Sequence, residues 1–282
     1  MSIAQSFAAI VLAGNRPGGD PVARQFGVAC KAQVPVGGRA LLFRVLDALA
    51  DSPSVADITV VGLPEEALAD PAFAAGLRHC GPRLTAGGAT PGASVEAALA
   101  EMSSERPVLV TTADHALLSS GIVETFLAGA RASGADVAYG LAPHERVDAL
   151  LPGMRRTVLR LREGGFCGCN LFAFLSDRGR TAIPVWRRIE SHRKRPLAIA
   201  RLLGPLTLLR FLTGRLSLDQ AFGRLSRLCG AEVRPVLLPC GEAAVDVDQP
   251  EDLAVAETLL ARQRSQSIAS GSQSSSRNVP DD

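Results

Sequence analysis

Short apolar runs alternate along the chain with longer segments in which apolar residues recur at helical spacing. The run at 8–12 is followed by a helical pattern at 40–49, and β-branched runs recur at 58–61, 108–112 and 137–141. Strand and helix in this order are typical of a parallel sheet that is covered on both faces and binds ligands at the carboxyl ends of its strands. We therefore predict an α/β fold with a mostly parallel twisted sheet flanked by helices.

The pattern changes in the second half of the chain. Two alternating runs at 157–162 and 166–174, joined by Gly164-Gly165, predict a hairpin added to the sheet. Further predicted elements are a helical stretch at about 181–230, strands at 233–238 and 244–247, and a helix at 251–262, while helices at 65–78, 94–102 and 122–133 fall between the earlier strands. Residues 263–282 are rich in Ser and Gln, which is typical of a disordered tail. We expect a single domain over 1–262 with a helical insertion.

Composition limits the class of protein. Of the 282 residues, 47% are apolar, which is enough for a substantial core. The six cysteines have neither paired zinc-ligand spacing nor the density of a disulfide scaffold, so we expect reduced thiols and a cytoplasmic protein. No basic segment of the secretory kind precedes the first strand. Trp186 and Tyr139 are the only Trp and Tyr, which argues against stacking on nucleic acid.

The first predicted strand ends in a glycine-rich turn. Glycines there let backbone N–H groups approach an anion closely, so we interpret the turn as a phosphate-binding loop. Its candidate nucleotide-binding residues are Leu12, Ala13, Gly14, Asn15, Gly18 and Gly19. Lys31 follows, and it is one of only two lysines in a chain that otherwise uses arginine. A retained ammonium beside this loop favours a contact with phosphate oxygens, the alternative being a solvated lysine.

Two aspartates lie where predicted strands end. Asp114 follows the apolar run at 108–112, and Asp248 stands just before the last helix. Mg²⁺ prefers a few carboxylates together with phosphate oxygens, so the pair predicts a magnesium site near the phosphate loop. The alternative is that each carboxylate caps a helix or forms a turn.

Taken together, the glycine-rich loop, the segment Lys31-Ala32-Gln33-Val34-Pro35, the post-strand Asp114 and the motif at 246–253 resemble the MobA-like nucleotidyltransferases. The resemblance implies a glycosyltransferase-A-type fold and transfer of an NMP from an NTP to a phosphorylated acceptor, with release of pyrophosphate. It implies that Lys31, an arginine and Asp114 are catalytic. Asn15 replaces the family's second glycine, and an insertion at 20–29 leaves both Arg16 and Arg24 as candidates for the arginine, of which Arg16 is favoured.

A second similarity concerns the nucleotide base. Gly87-Gly88, followed six residues later by Ser94-Val95, resembles the spacing in methylerythritol phosphate cytidylyltransferases. The resemblance implies that Gly88 and Ser94 lie at the base and weakly favours CTP, whereas the alternative makes Ser94 a helix N-cap. Asn170 resembles a position that faces the acceptor substrate.

Residues 187–227 carry ten Lys or Arg against two acidic residues, with leucines interleaved. No charge-free stretch there is long enough to span a bilayer. The mixture is typical of an interfacial helix on an anionic membrane, at the inner membrane surface. The alternative is a set of helices packed on the domain, on a second copy in a homo-oligomer, or over the acceptor pocket. Two other functions stay open: a glycosyltransferase that uses a nucleotide sugar, and a non-catalytic nucleotide-binding or membrane-adaptor protein.

Overall fold

A mostly parallel sheet organises the computed structural model, which describes residues 6–15, 18–103, 105–152, 157–190 and 196–275. The strands are β1 (Phe7–Leu12), β2 (Pro35–Val36), β3 (Arg39–Ala40), β4 (Val55–Val61), β5 (Arg83–Thr85), β6 (Val108–Thr112), β7 (Val137–Pro143), β8 (Leu159–Leu161), β9 (Gly164–Phe174) and β10 (Val233–Leu237). Their order in the main sheet is β10-β7-β9-β6-β1-β4-β5, with β8 paired to β9 and a separate β2-β3 hairpin. Among the described strands of the main sheet, only β9 runs against the others, and it pairs antiparallel with β6, β7 and β8.

Helices cover both faces of this sheet. They are α1 (Pro21–Phe26), α2 (Leu41–Ala50), α3 (Glu65–Leu68), α4 (Pro71–Cys80), α5 (Pro91–Ala100), α6 (Ser120–Ala132), α7 (His144–Leu150), α8 (Ile183–Glu190), α9 (Pro196–Leu202), α10 (Pro205–Leu212), α11 (Leu218–Cys229) and α12 (Pro250–Ser275). Strand β1 shows why the sheet needs two layers. Phe7 and Val11 pack into a core with α2 and α6, while Ile10 faces a second core formed with α5, α8 and α11. A central parallel strand that is apolar on both sides must be covered on both sides.

The predicted fold class is confirmed, and the predicted hairpin is present as β8 and β9. Its long strand lies inside the sheet, between β6 and β7, rather than at an edge. The helical stretch is divided by a turn at Gly204, so that α9 ends at Leu202 and α10 begins at Pro205. Proline at the start of α10 cannot donate the hydrogen bond that would continue α9.

Two predicted elements differ in the structure. The prediction of a strand at 244–247 is wrong. A 3-10 turn occupies Gly241–Ala244. The N–H of Val247 donates to the backbone carbonyl of Asp114, 3.0 Å away, and not to a neighbouring strand. The last helix was expected to end at Arg262, but α12 continues to Ser275. Ala, Gln, Arg and Ser can all continue a helix, so the polar composition did not mark its end. The rest of the predicted tail, 276–282, lies outside the described residues.

Asp136 joins three segments at one end of the sheet. Its carboxylate accepts hydrogen bonds from Ser176 Oγ (2.6 Å) and from the backbone N–H of Glu232 (2.7 Å), and Arg178 lies 3.7 Å away. Burial alone would raise the pKa of Asp136, but these donors outweigh it and hold the pKa below its ordinary value near 3.8. The carboxylate thus ties β7, the end of β9 and β10 together.

We expect Asp136→Ala to lower the free energy of unfolding by about 1–3 kcal/mol at pH 7, because charge-assisted hydrogen bonds are lost. A pKa that is lowered by folding stabilises the protein above the unfolded-state pKa, and this stabilisation is lost as the pH falls through the folded-state value. The difference from wild type should therefore hold from pH 7 to about 5 and shrink below about 4. Urea unfolding measures it. Asp177→Ala, whose side chain is 77% exposed, is the control and should change stability little. Equal losses in the two variants would contradict the assignment.

Candidate functional site

A rigid turn presents Lys31 beside the end of β1. Residues Lys31–Gln33 form one turn of 3-10 helix. Gln33 is buried, and its Oε1 accepts hydrogen bonds from the N–H groups of Ala29 (3.0 Å) and Cys30 (3.3 Å). A buried amide that satisfies two backbone donors fixes the path of the chain into Lys31. This positioning role of Gln33 could not be predicted from the sequence, since a lone Gln carries no local signal.

The insertion at 20–29 returns the chain to β1. Asp20 caps α1 by accepting hydrogen bonds from the N–H groups of Val22 (2.9 Å) and Ala23 (3.2 Å). Asn15 Nδ2 donates to the carbonyl of Ala29, 2.9 Å away, and so ties the loop after β1 to the Lys31 turn. Where the resemblance implies a second glycine, this chain uses an amide that closes the insertion.

Lys31 lies among three carboxylates. Its Nζ is 2.5 Å from Asp114 Oδ2, 3.1 Å from Asp248 Oδ1 and 3.9 Å from Asp20 Oδ2. The Lys31 and Asp114 side chains are only 13% and 14% exposed. Burial alone would raise the pKa of Asp114. The charge and the hydrogen bond of Lys31 lower it and outweigh burial, so the pKa lies below its ordinary value. Lys31, Asp114 and Asp248 are far apart in the sequence, and the structure brings them together.

Asp248 is held by a buried neighbour. Asp252 Oδ2 accepts hydrogen bonds from the backbone N–H groups of Asp248 and Gln249, each at 2.8 Å, at the start of α12. The capping role considered for Asp248 therefore belongs to Asp252, and the Asp248 carboxylate points to Lys31. Because Val247 N–H also bonds to the Asp114 carbonyl, the two acidic segments are joined through the backbone.

A third carboxylate completes a candidate metal centre. One oxygen from each of Asp114, Asp246 and Asp248 lies within 4.8 Å of the others. The second oxygen of Asp114, Oδ1, is buried and has no hydrogen-bond partner among the described residues. Hard carboxylate oxygens and an excess of negative charge over Lys31 suit Mg²⁺. Asp246 was missed in the sequence analysis, although residues two apart in an extended segment face the same side.

Asn170 lies next to this centre in an unusual backbone conformation. It has a φ of 49°, in the left-handed region, at the irregularity where β9 changes register against β7. Asparagine tolerates this region better than most residues, and such strain is common at functional sites. Asn170 Nδ2 donates to Asp246 Oδ2, 3.2 Å away. The residue predicted to face the acceptor thus contacts the acidic cluster directly.

A cleft of about 500 Å³ opens at the carboxyl ends of β1, β4 and β5. Its floor consists of glycine backbone. A Cβ added at Gly62 would lie 3.4 Å from Gly14 Cα and 3.3 Å from Gly87 Cα. Side chains would therefore close this part of the cleft, whereas bare backbone leaves room for a planar or anionic ligand. Leu63, Pro64, Leu68, Leu84 and Thr85 are among the residues that line the cleft.

Gly88 and Ser94 lie at this cleft, together with Gly14 and Asn15. Ser94 Oγ accepts a hydrogen bond from Gly88 N–H (2.9 Å) and donates one to the carbonyl of Thr90 (3.1 Å). Ser94 is not the helix N-cap; Thr90 caps α5, accepting from Ala93 N–H. The Ser94 hydroxyl therefore shapes the glycine turn at the mouth of α5.

The other residues predicted to bind phosphate differ in their surroundings. Ala13 N–H already donates to the carbonyl of Val61, and the Leu12 carbonyl accepts from Ala113 N–H, each at 2.9 Å, so these groups hold strands together. Gly18 and Gly19 are exposed and have positive φ values of 86° and 80°. Arg24 is exposed on α1, and Arg16 lies outside the described residues.

The close approach of Gly87 to Gly62 predicts that a side chain at position 87 cannot be accommodated. A Cβ at position 87 would lie 2.8 Å from Gly62 Cα, a backbone atom that cannot rotate away. We expect Gly87→Ala to force β4 and the β5–α5 loop apart, costing about 1–3 kcal/mol of stability and weakening nucleotide binding at least about tenfold. Gly223→Ala in α11 is the control, because outside the helix's own backbone nothing lies within 4 Å of its Cβ and alanine favours a helix. Thermal unfolding and fluorescent-nucleotide titration measure both variants, and tight binding by Gly87→Ala would contradict the prediction.

The chain is similar to known proteins in both sequence and fold. Residues 9–201 match the model of the MobA-like NTP transferase domain. A hypothetical transferase from Thermus thermophilus is 38% identical, with a TM-score of 0.71 over 88% of this chain and 99% of that one.

Two structures show the same fold at lower identity. The 4-diphosphocytidyl-2C-methyl-D-erythritol synthase of Anaerococcus prevotii is 12% identical with a TM-score of 0.54, over 92% of this chain and 97% of that one. A CMP:2-keto-3-deoxy-manno-octonic acid synthetase in complex with CTP is 14% identical with a TM-score of 0.52, over 92% of this chain and 100% of that one.

A search among curated proteins gave no match. The family match covers more than half of the chain and includes the glycine-floored cleft together with Lys31 and Asp114. The chain belongs to the MobA-like NTP transferase family and is a nucleotidyltransferase.

Proposed function

We propose that the protein transfers an NMP, with CMP favoured weakly, from an NTP to a phosphorylated small-molecule or lipid-linked acceptor. Pyrophosphate leaves, and the reaction depends on Mg²⁺. The observation that carries this proposal is the convergence of Lys31, Asp114 and Asp248 beside a glycine-floored cleft. One domain over 1–262 would contain the whole site, and reduced thiols fit a cytoplasmic enzyme.

The acidic residues and Lys31 have separate roles in this proposal. Asp114, Asp246 and Asp248 would hold Mg²⁺, which supplies charge neutralisation at the triphosphate. Lys31 would move its ammonium from the carboxylates to the α-phosphate oxygens, where negative charge grows as the acceptor attacks in line. The same arrangement binds a single nucleotide between the glycine floor and the acidic cluster. Arg16 is the favoured arginine for the phosphate, with Arg24 as the alternative.

The residues proposed for the nucleotide and for the acceptor lie in different parts of the site. Gly88 and Ser94 border the space proposed for the base, and Leu12, Ala13, Gly14, Asn15, Gly18 and Gly19 are proposed to surround the phosphates. CTP is favoured because the loop at 87–94 resembles cytidylyltransferases and because a structure with the same fold holds CTP. Asn170, which donates a hydrogen bond to Asp246, is proposed to contact the acceptor.

The test is a coupled assay for pyrophosphate. The protein is incubated with Mg²⁺, each of the four NTPs and a panel of phosphorylated metabolites and lipid phosphates. We expect acceptor-dependent pyrophosphate release that disappears with EDTA and returns with Mg²⁺. Consumption of a nucleotide sugar without NTP turnover would favour a glycosyltransferase instead. Tight NTP binding without turnover across the panel would favour the non-catalytic alternative.

A further inference from the structure

Helix α10 presents a row of leucines to solvent. Leu206, Leu209 and Leu212 are 59%, 58% and 63% exposed. The opposite side of the helix is anchored, because Thr207 is buried and Phe211 packs against the core that includes α8 and α11. Large apolar side chains grouped on one exposed helix face indicate a surface that is covered in function.

Three arginines flank or alternate with these leucines along the chain. Arg201, Arg210 and Arg215 are exposed, and none of them forms an ion pair within the part of the chain that the structure describes. The sequence from 191 to 218 contains no Asp or Glu. We call the three leucines and these three arginines the α10 face.

The α10 face is held outward by its neighbours. Gly204 has a φ of 109° and turns the chain between α9 and α10. Arg224 on α11 donates through Nε to the carbonyl of Leu203, 2.6 Å away, which fixes that turn. The leucines are therefore displayed by a braced helix and need no further rearrangement to meet a flat surface.

We infer that the α10 face docks on the surface of an anionic lipid bilayer. Leucines of an interfacial helix enter the boundary between headgroups and acyl chains, while guanidinium groups bind lipid phosphates. Within the described residues, no helix is both long and apolar enough to cross a bilayer. This inference is independent of the chemistry at the acidic cluster.

Charge decides between a bilayer and a second copy of the chain. A two-fold contact through the α10 face would bring the same arginines of both copies together, and like charges at an interface oppose association. An anionic bilayer instead offers many phosphates to all three arginines at once. The observations therefore favour lipid over self-association.

The test is flotation of the full chain with vesicles of phosphatidylcholine containing 30% phosphatidylglycerol, compared with phosphatidylcholine alone. We expect binding only to the anionic vesicles in 100 mM NaCl, and its loss in 500 mM NaCl. Each arginine near an anionic surface strengthens binding about fivefold, so the triple variant R201Q/R210Q/R215Q should bind on the order of 100-fold more weakly. L206Q/L209Q/L212Q should bind at least about tenfold more weakly.

Matched controls are Leu237→Gln, at a leucine 50% exposed on β10, and Arg160→Gln, at an exposed arginine on β8. Both should bind vesicles like wild type, and circular dichroism checks that all variants fold. The inference is overturned if wild type does not bind anionic vesicles, or if either triple variant binds as well as the controls. Concentration-dependent dimerisation that L206Q/L209Q/L212Q abolishes, without vesicle binding by wild type, would assign the α10 face to a second copy.

Discussion

Replacing Asp114 with Asn should remove nearly all pyrophosphate release, by about 10³-fold or more in kcat. The substitution keeps the size of the side chain but removes the charge that faces Lys31 at 2.5 Å and one of the three carboxylates of the candidate metal centre. A centre that stabilises charge on a triphosphate loses most of its effect when one charged ligand is neutralised. Steady-state kinetics with the preferred NTP measures the loss.

The fold should survive this substitution. The backbone carbonyl of Asp114 still accepts from Val247 N–H, so β6 and the segment before α12 remain joined. Asp51→Asn, at an exposed position after α2, is the matched control and should keep wild-type turnover. More than a tenth of wild-type kcat in Asp114→Asn, with normal folding, would contradict a central role for this carboxylate.

Lys31→Met should change two measurements in opposite directions. We expect turnover to fall by about 10²–10³-fold, because the ammonium proposed for the phosphate oxygens is lost. Binding of Mn²⁺ without nucleotide should instead strengthen about tenfold or more, because Lys31 Nζ now occupies the oxygens of Asp114 and Asp248 that a cation would use. Isothermal titration calorimetry measures the metal affinity, and pyrophosphate release measures the turnover.

The control is Lys194→Met, since Lys194 is the only other lysine in the sequence. It should leave both measurements unchanged. Weaker Mn²⁺ binding in Lys31→Met would show that the ammonium organises the carboxylates instead of competing with a cation. Unchanged turnover would remove Lys31 from the proposed mechanism.

The fold class and the meeting of Lys31, Asp114 and Asp248 could be predicted because strand ends in a parallel sheet share one edge. The position of β9 could not, since a hairpin pattern does not specify whether its strand lies at an edge or between two others. The positioning roles of Gln33 and Asp252 could not be predicted from the sequence either. Their partners are backbone N–H groups whose need for an acceptor exists only after the local turn has formed.

Asp246 is a different case. Its spacing from Asp248 was visible, but the segment was interpreted as a sheet strand, whereas it is an extended connection that packs on the end of β6. The side of an extended segment that faces a site depends on where its backbone hydrogen bonds go. Here the hydrogen bond from Val247 N–H to the Asp114 carbonyl fixes which side of the segment faces the site.

The reversed direction of β9 has a consequence for how such proteins diverge. Its pairing with β6 ends at the Val110 and Phe172 pair, so its first half, from Gly164 to Asn170, extends beyond β6 and pairs instead with β7 and β8. This overhang can lengthen, shorten or change its side chains without repacking the turn that carries Lys31 or strand β6, which leads to Asp114. The acceptor contact proposed for Asn170 lies on this overhang, so evolution or a protein engineer could change acceptor specificity there while the segments that follow β1 and β6 stay constant.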